Sequence, residues 1–300
     1  MYDFTDLVRS IHESLAASFS PGIAALIEWT IIGTLFLAFF ALLGLVLVYA
    51  ERKVCAFFQL RMGPTRVGWF GMAQTAADTL KLLLKEPLMN KKADKFLFNF
   101  APFIIIISSL LVLALTPFAP GLLAFDINIG LFFIIAISSI GVVGVLLAGW
   151  ASNNKYSLIG AMRSGAQIVS YELSVGLALM TMVVITGSLQ LSVIIESQRD
   201  MWWIFKGHLP AFIAFILFLI ASTAEVNRGP FDLAEAESEL TAGFHTEYSG
   251  MKFAFFFLAE FVNMFIVAVI GATVFFGGWM PFHIPGLEGF NNVMDYIPPI

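Results

Sequence analysis

The chain is poor in charged residues and in cysteine, and both shortages exclude classes of protein and of binding site. Charged residues make up 12% and hydrophobic residues 59% of its 300 residues, whereas about a quarter of residues are charged in an ordinary soluble domain. The one cysteine, Cys55, excludes a disulfide within the chain and any cysteine-rich metal or iron–sulfur site that this chain alone would build. The composition therefore predicts an integral membrane protein.

Motifs for nucleotides and metals are also missing. The sequence has no G-x-G-x-x-G, G-x-x-x-x-G-K-[ST], H-E-x-x-H or C-x-x-C pattern, so nothing supports binding of a nucleotide, a flavin, zinc or an iron–sulfur cluster by this chain. Its four histidines are scattered without ligand spacing, and we expect no metal site. No basic patch is interleaved with aromatic residues on a polar background, so nucleic acid is not an expected partner.

Long apolar runs dominate what the chain does contain. About 20 apolar residues suffice for a helix to cross a membrane, and six runs qualify. They are residues 27–49, 97–118, 127–150, 160–187, 209–226 and 252–279. We predict an all-α fold: a polytopic transmembrane helix bundle with membrane-surface amphipathic helices and a long acidic loop. Residues 1–300 are expected to form a single integral membrane domain.

The distribution of basic residues predicts the topology. Nine of the 16 Lys and Arg residues lie between positions 52 and 95. The positive-inside rule then places the connection 50–96 on the cytoplasmic side or its equivalent, and the acidic loop 227–251 on the same side. Within 50–96, residues 71–85 have the pattern of an amphipathic helix that ends near Pro87, and 61–68 have that of a turn.

The most informative stretch is rich in acids. Seven of the 21 Asp and Glu residues fall between positions 225 and 260. They are Glu225, Asp232, Glu235, Glu237, Glu239, Glu247 and Glu260. Acids in or beside a membrane are costly, and crowded acids have raised pKa values, so the stretch indicates proton or cation chemistry at a membrane face. The alternative is a solvated loop that happens to be acidic.

Part of this loop also has a helical pattern. Pro230 followed by Asp232, Glu235 and Glu239 fits the start of a helix, with the three acids on one face and Glu237 turned away. Carboxylates packed in this way would titrate as a coupled set.

Two further positions are candidates for chemistry. Glu51 and Arg52 lie where the first span leaves the bilayer, and a guanidinium there could hold a carboxylate or a carbonyl-bearing lipophilic ligand. The alternative is a basic side chain that simply extends to the interface. Glu172 lies inside an apolar span, which indicates a proton pathway. A structural hydrogen bond to a neighbouring helix is the alternative for Glu172.

Six short segments together resemble one family. They are Ala50–Lys53, Gln59–Gly68, Gly149–Ser157, Ser170–Glu172, Asn227–Asp232 and Glu247–Met251. The chain from about residue 27 to residue 280 is similar to the quinone-proximal membrane subunit of respiratory complex I, which is called subunit 1 in mitochondria and also occurs in bacteria. Members of this family usually have eight spans, so the last two are missing here. An incomplete sequence, a truncated segment and a lineage that lost these spans all fit.

The resemblance implies a role in coupling quinone reduction to proton movement. The connections 50–96 and 227–250 would help to wall a quinone-access chamber, with Glu51, Arg52, Arg61 and Phe231 as its residues. A proton path into the membrane arm would begin at Glu172 together with Glu225, Asp232, Glu235, Glu237, Glu239, Glu247 and Glu260.

The resemblance also implies partners and a location. Quinone would be a shared substrate, while the flavin and iron–sulfur clusters would belong to neighbouring soluble subunits. Membrane-arm and peripheral-arm subunits of complex I and membrane lipids are the expected partners, and the bacterial inner membrane is favoured over an organellar inner membrane. A related membrane-bound hydrogenase or an oxidoreductase with another donor would share these segments. A secondary transporter would be expected to show internal repeats, and no convincing repeat is present.

Overall fold

A computed structural model describes residues 5–120, 123–234 and 237–295. Regular structure in this part of the chain is helical, without any strand. In chain order the α-helices are α1 (Thr5–Ser18), α2 (Pro21–Phe58), α3 (Gln74–Leu84), α4 (Lys95–Leu115), α5 (Gly130–Ala151), α6 (Lys155–Thr186), α7 (Leu191–Glu196), α8 (Trp203–Lys206), α9 (His208–Glu225), α10 (Glu237–Leu240), α11 (Met251–Phe275) and α12 (Glu288–Asp295). Short 3₁₀ turns cover Trp69–Gly71 and Gly243–His245.

Among the described residues, six helices are long and apolar enough to cross a membrane: α2, α4, α5, α6, α9 and α11. They coincide with the six predicted spans to within a few residues, except that α2 is longer at both ends. After Gly44 the sequence has neither glycine nor proline until Gly63 and Pro64, so the helix continues past the bilayer length to Phe58. Glu51 and Arg52 are therefore helical residues of α2. The polytopic helix bundle is confirmed.

The prediction of a helix that starts at Pro230 is wrong. Residues 228–234 form turns and irregular structure, and α10 is a single turn that begins at Glu237. Asn227 adopts a left-handed conformation with φ of 51° directly after α9, and the N–H of Phe231 closes a turn on the carbonyl of Arg228 at 2.8 Å. These turn contacts use backbone groups that a helix starting at Pro230 would need, so Asp232 does not share a helical face with Glu239.

Because the six long helices alternate in direction, their connections fall on two faces of the bundle. We call the face that carries residues 59–94, 152–154 and 226–250 the loop face. Its two long connections touch: the Ser249 hydroxyl accepts a hydrogen bond from the N–H of Leu88 at 2.9 Å. Asn153 also donates to the carbonyl of Lys92 at 3.3 Å. The prediction that the two connections share a face is confirmed.

Small residues allow the helices of the bundle to pack closely. A Cβ atom on Gly144 of α5 would lie 2.4 Å from Ile105 of α4, and one on Gly149 would lie 2.2 Å from Ala161 of α6. Such contacts let backbones approach where hydrophobic burial between helices gives little driving force in lipid. The core lies between α4, α5, α6, α9 and α11, and α2 packs at its edge, with Phe40 among its buried residues.

Gly160 is expected to fix the position of the loop on α6. A Cβ atom there would lie 2.8 Å from the backbone of Gly243 and Phe244, so Gly160→Ala forces the loop away and should destabilise the protein by about 1–3 kcal/mol. Gly176→Ala is the matched control, because this glycine lies on the same helix with nothing within 4 Å of its Cβ position. Thermal unfolding should show a lower midpoint for the first variant only. Equal midpoints would contradict the close contact.

Candidate functional site

An arginine lies between two carboxylates at the loop face. Arg228 Nη1 donates to Glu51 Oε1 of α2 at 3.0 Å, and its Nε lies 3.3 Å from Glu260 Oε1 of α11. Its guanidinium carbon is also 4.7 Å from the centre of the Phe261 ring, a geometry typical of a cation–π contact. This cation thus links the end of α9 to two other spans.

The three charges are only partly shielded from solvent. The side chains of Arg228, Glu51 and Glu260 are 28%, 37% and 24% exposed, so the group can still exchange with water. Within the described part of the chain, Arg228 Nε and Nη2 are buried without a hydrogen-bond acceptor, so the contact of Nε with Glu260 is an ion pair and not a hydrogen bond. A buried donor of this kind costs free energy unless water or a ligand accepts from it.

We call the three charges of Glu51, Arg228 and Glu260 the arginine group. A cavity of about 130 Å³ lies inside the bundle beside it. Its polar lining comprises Glu225, Glu260, Asn227, Asn263, Ser108 and Ser138, and the rest is mainly apolar. About 10–15 Å³ of such space suffices for one water, so this cavity has room for several molecules. The site is therefore roomy and polar enough to hold water between two acids.

Glu172 reaches the same cavity through a serine. Its Oε1 accepts hydrogen bonds from Ser139 and, at 3.4 Å, from Ser138, both on α5. Ser138 itself lines the cavity, as does Glu225. The structural hydrogen bond that was the alternative for Glu172 is thus present. It also places the carboxylate against Ser138, which lines the cavity.

Gln167 is a residue that the sequence interpretation did not select. It is buried, and its Nε2 donates to the carbonyls of Ala224 at 2.8 Å and Phe231 at 2.7 Å. It therefore fixes the end of α9 and the turn that follows, which together position Glu225 and Arg228. The only sequence signal for this role is an amide inside an apolar span.

The remaining loop acids do not form one packed cluster within the part of the chain that the structure describes. Glu239 Oε2 pairs with Arg163 at 2.6 Å on an exposed surface, and Asp232 is exposed. Glu247 accepts from Asn154 at 2.6 Å, at the start of α6. Glu235 and the side chain of Glu237 lie outside the described residues.

His245 adds no positive charge to this loop at neutral pH. Burial lowers its pKa to about 4, because a buried imidazole loses the hydration that stabilises its charged form. Among the loop acids, Glu239 has its cationic partner in Arg163 of α6.

Arg52 and Arg61 contact other groups. Arg52 Nη1 lies 2.5 Å from Asp78 Oδ2 of α3, and Arg61 Nε donates to Gln59 at 2.7 Å. Burial acts to raise the pKa of Asp78, but the hydrogen bond and charge of Arg52 outweigh it and hold that pKa below its usual value. The structure thus separates Glu51, which faces Arg228, from Arg52, which faces α3.

Phe231 lies on the loop side of α6, where its ring is 5.5 Å from that of Tyr171. Large apolar side chains around Arg52 and Arg61 are exposed, with Phe58, Leu60 and Trp69 at 86%, 96% and 82%. Within the described ranges, no group of three His, Cys, Asp or Glu residues is placed to hold a metal ion.

Comparison with known proteins gives consistent results over nearly the whole chain. A family model described as NADH dehydrogenase matches residues 31–295. The chain is 60% identical to a subunit of the NADH-quinone oxidoreductase of Bacteroides fragilis over 298 residues, which cover 99% of this chain and 83% of that protein. For the same subunit of Bacteroides thetaiotaomicron the identity is 61% with the same coverage. For that of Brevibacillus brevis it is 50% over 83% of this chain and 73% of the relative.

Proposed function

Because the chain belongs to the NADH dehydrogenase family, we propose that it is the quinone-proximal membrane subunit of an ion-pumping NADH:quinone oxidoreductase. In this role it forms part of the quinone-access chamber and couples quinone reduction to proton translocation. The family membership also sets aside the secondary transporter. The relatives are named as NADH-quinone oxidoreductases, which supports NADH as the donor of the whole complex.

One observation carries this proposal: charged and polar groups run without a break from the loop face into the bundle. Glu51 contacts Arg228, Arg228 contacts Glu260, and Glu260 lines the cavity. The cavity then leads to Glu225 and, through Ser138, to Glu172. A solvated acidic loop would need no such continuation into the bundle. Ionisable groups inside a membrane cost free energy, and their presence there indicates a functional pathway.

We derive the coupling from the cation that two carboxylates share. Reduction of a quinone to a quinol takes up two electrons and two protons, so the charge near the chamber changes during turnover. A change of charge beside Glu51 alters the attraction between Glu51 and Arg228. It thereby alters the attraction between Arg228 and Glu260. Glu260 can then gain or release a proton toward water in the cavity. Glu172 and Glu225 would carry that proton further into the membrane arm.

The surface around Arg52 suits the chamber wall. Exposed apolar side chains such as Phe58 and Leu60 can contact an isoprenoid tail or a neighbouring subunit, and the guanidinium can bind a quinone carbonyl. Quinone would be a substrate shared with neighbouring soluble subunits, which would also hold the flavin and the iron–sulfur clusters. We further propose the bacterial inner membrane as the location, with residues 50–96 and 227–251 on the cytoplasmic side.

We expect Arg52→Ala to lower quinone-reductase activity by about tenfold, because it removes one charge-assisted hydrogen bond at the quinone end. Electron transfer from NADH to a soluble artificial acceptor should stay unchanged, since that reaction bypasses the quinone. Both rates are measured on the purified complex. Asp78→Asn is the companion variant: it keeps the guanidinium but frees it from α3, and a smaller loss is expected.

Equal loss of both activities in Arg52→Ala would show failed assembly and would remove the support for its place in the chamber. If the purified complex contains no flavin- and NAD-binding subunit, the donor is another molecule, and the chain serves an oxidoreductase of another type.

A further inference from the structure

The face of the bundle opposite the loop face carries an open pocket that the proposed function does not use. It lies between the α6–α9 connection and the segment that follows α11, with a volume of about 660 Å³. Arg199, Asp200, Lys206, His283 and Asn291 are its polar lining residues. The pocket is separate from the arginine group and the internal cavity, which share none of these residues.

Among the described lining residues of this pocket, the cations Arg199 and Lys206 outnumber the one acid, Asp200. Lys206 Nζ lies 3.5 Å from Asp200 and 3.4 Å from the carbonyl of Ser197, so the acid offsets the lysine. Arg199 is exposed and forms no ion pair within the described ranges, which leaves a guanidinium that can bind an anion. A guanidinium matches the geometry of phosphate oxygens because it presents two parallel N–H donors.

The surroundings of the pocket are those of a membrane interface. Trp202, Phe205 and Phe282 form an aromatic group beside it, with ring centres 4.7 Å apart for Trp202 and Phe282 and 5.5 Å apart for Phe205 and Phe282. Such aromatic rings are typical of the level of lipid headgroups. Phe205 of α8 and Leu209 of α9 are 54% and 68% exposed, so exposed apolar side chains continue along the chain from Lys206 to the first turn of α9.

We propose that this pocket binds the phosphate of an anionic membrane phospholipid through Arg199 and Lys206, with the acyl chains along the exposed side of α9. A phosphate group is the shared chemistry of a lipid headgroup and a free phosphate ion. The apolar path from Phe205 to Leu209 favours the lipid, because a soluble ion would make no use of it.

Photolabelling of the purified complex in vesicles tests this proposal. The vesicles contain phosphatidylcholine and a minor fraction of phosphatidylglycerol with a diazirine on one acyl chain, and the labelled peptides are quantified after irradiation. We expect labelling on α9 that falls about tenfold in Arg199→Gln, since a charge-assisted hydrogen bond is lost. Lys206→Gln should show a smaller decrease. Arg9→Gln is the matched control on the exposed α1 helix and should label as the unchanged protein does.

Two results would overturn the proposal. Equal labelling by diazirine-bearing phosphatidylcholine, insensitive to Arg199→Gln, would show only the lipid that surrounds any membrane protein. Absence of labelling above background on α9, together with binding of radiolabelled inorganic phosphate that Arg199→Gln abolishes, would assign the pocket to a soluble anion. Quinone-reductase activity is measured in the same samples, so a failure of the proposed function is recognised separately.

Discussion

We expect Arg228→Gln to lower the rate of proton translocation driven by quinone reduction by about tenfold or more. The substitution removes the cation that Glu51 and Glu260 share. Loss of one partner costs about 3 kcal/mol or more in a fully buried ion pair and at most about 1 kcal/mol in an exposed one. Because this group is partly exposed, we expect the free energy of unfolding to fall by about 1–3 kcal/mol. Quinone-driven proton uptake into vesicles measures the first effect, and thermal unfolding measures the second.

Two further variants separate the role of the positive charge from a general loss of stability. Arg228→Lys keeps the charge, but a compact ammonium cannot present the fork of donors that reaches both carboxylates, so we expect partial recovery of activity. Arg163→Gln is the control for stability. Its pair with Glu239 is exposed, and loss of such a pair costs at most about 1 kcal/mol. Full coupling in a folded Arg228→Gln complex would exclude the arginine from the mechanism.

Glu172→Gln should reduce proton translocation by about tenfold or more while the complex still assembles. The amide keeps the size of the side chain and can still accept from Ser138 and Ser139, but it cannot carry a proton at neutral pH. Groups that transfer protons contribute about a hundredfold or more in other enzymes, which makes a tenfold decrease a modest expectation. Reconstituted vesicles are assayed for protons moved per quinone reduced.

Glu13→Gln controls for loss of a carboxylate elsewhere, because Glu13 is exposed on α1. The complex with this variant should translocate protons at the rate of the unchanged protein. Ser139→Ala separates position from chemistry: it weakens the placement of Glu172 but leaves its carboxylate, so an intermediate rate is expected. An assembled Glu172→Gln complex with an unchanged proton ratio would place the path elsewhere.

The sequence predicts the spans well because long apolar runs have one stable solution in a bilayer. It predicts the loop less well. Turn contacts of Arg228 and Phe231 override the helical pattern after Pro230, and such contacts depend on Gln167 in a different helix.

The partners of Arg228 were also beyond the sequence. Glu51 lies 177 positions away along the chain, and only the packing of α2 and α11 beside the end of α9 brings the three charges together. The acids themselves were identifiable from their cost in a membrane. Which acid meets which base is a property of the tertiary structure.

The shape of the acidic loop rests on groups that carry no charge. Gln167 holds the carbonyl of Phe231, and the hydroxyl of Ser157 donates to the carbonyl of Phe244 at 2.7 Å. Since these bonds end on backbone atoms, the exposed acid Asp232 can be replaced without loss of either bond. Position 231 can also vary without loss of its hydrogen bond, whereas Gln167 and Ser157 cannot. Substitutions of Asp232 therefore report on chemistry, whereas those of Glu239 and Glu247 also remove contacts with Arg163 and Asn154 of the α6 region.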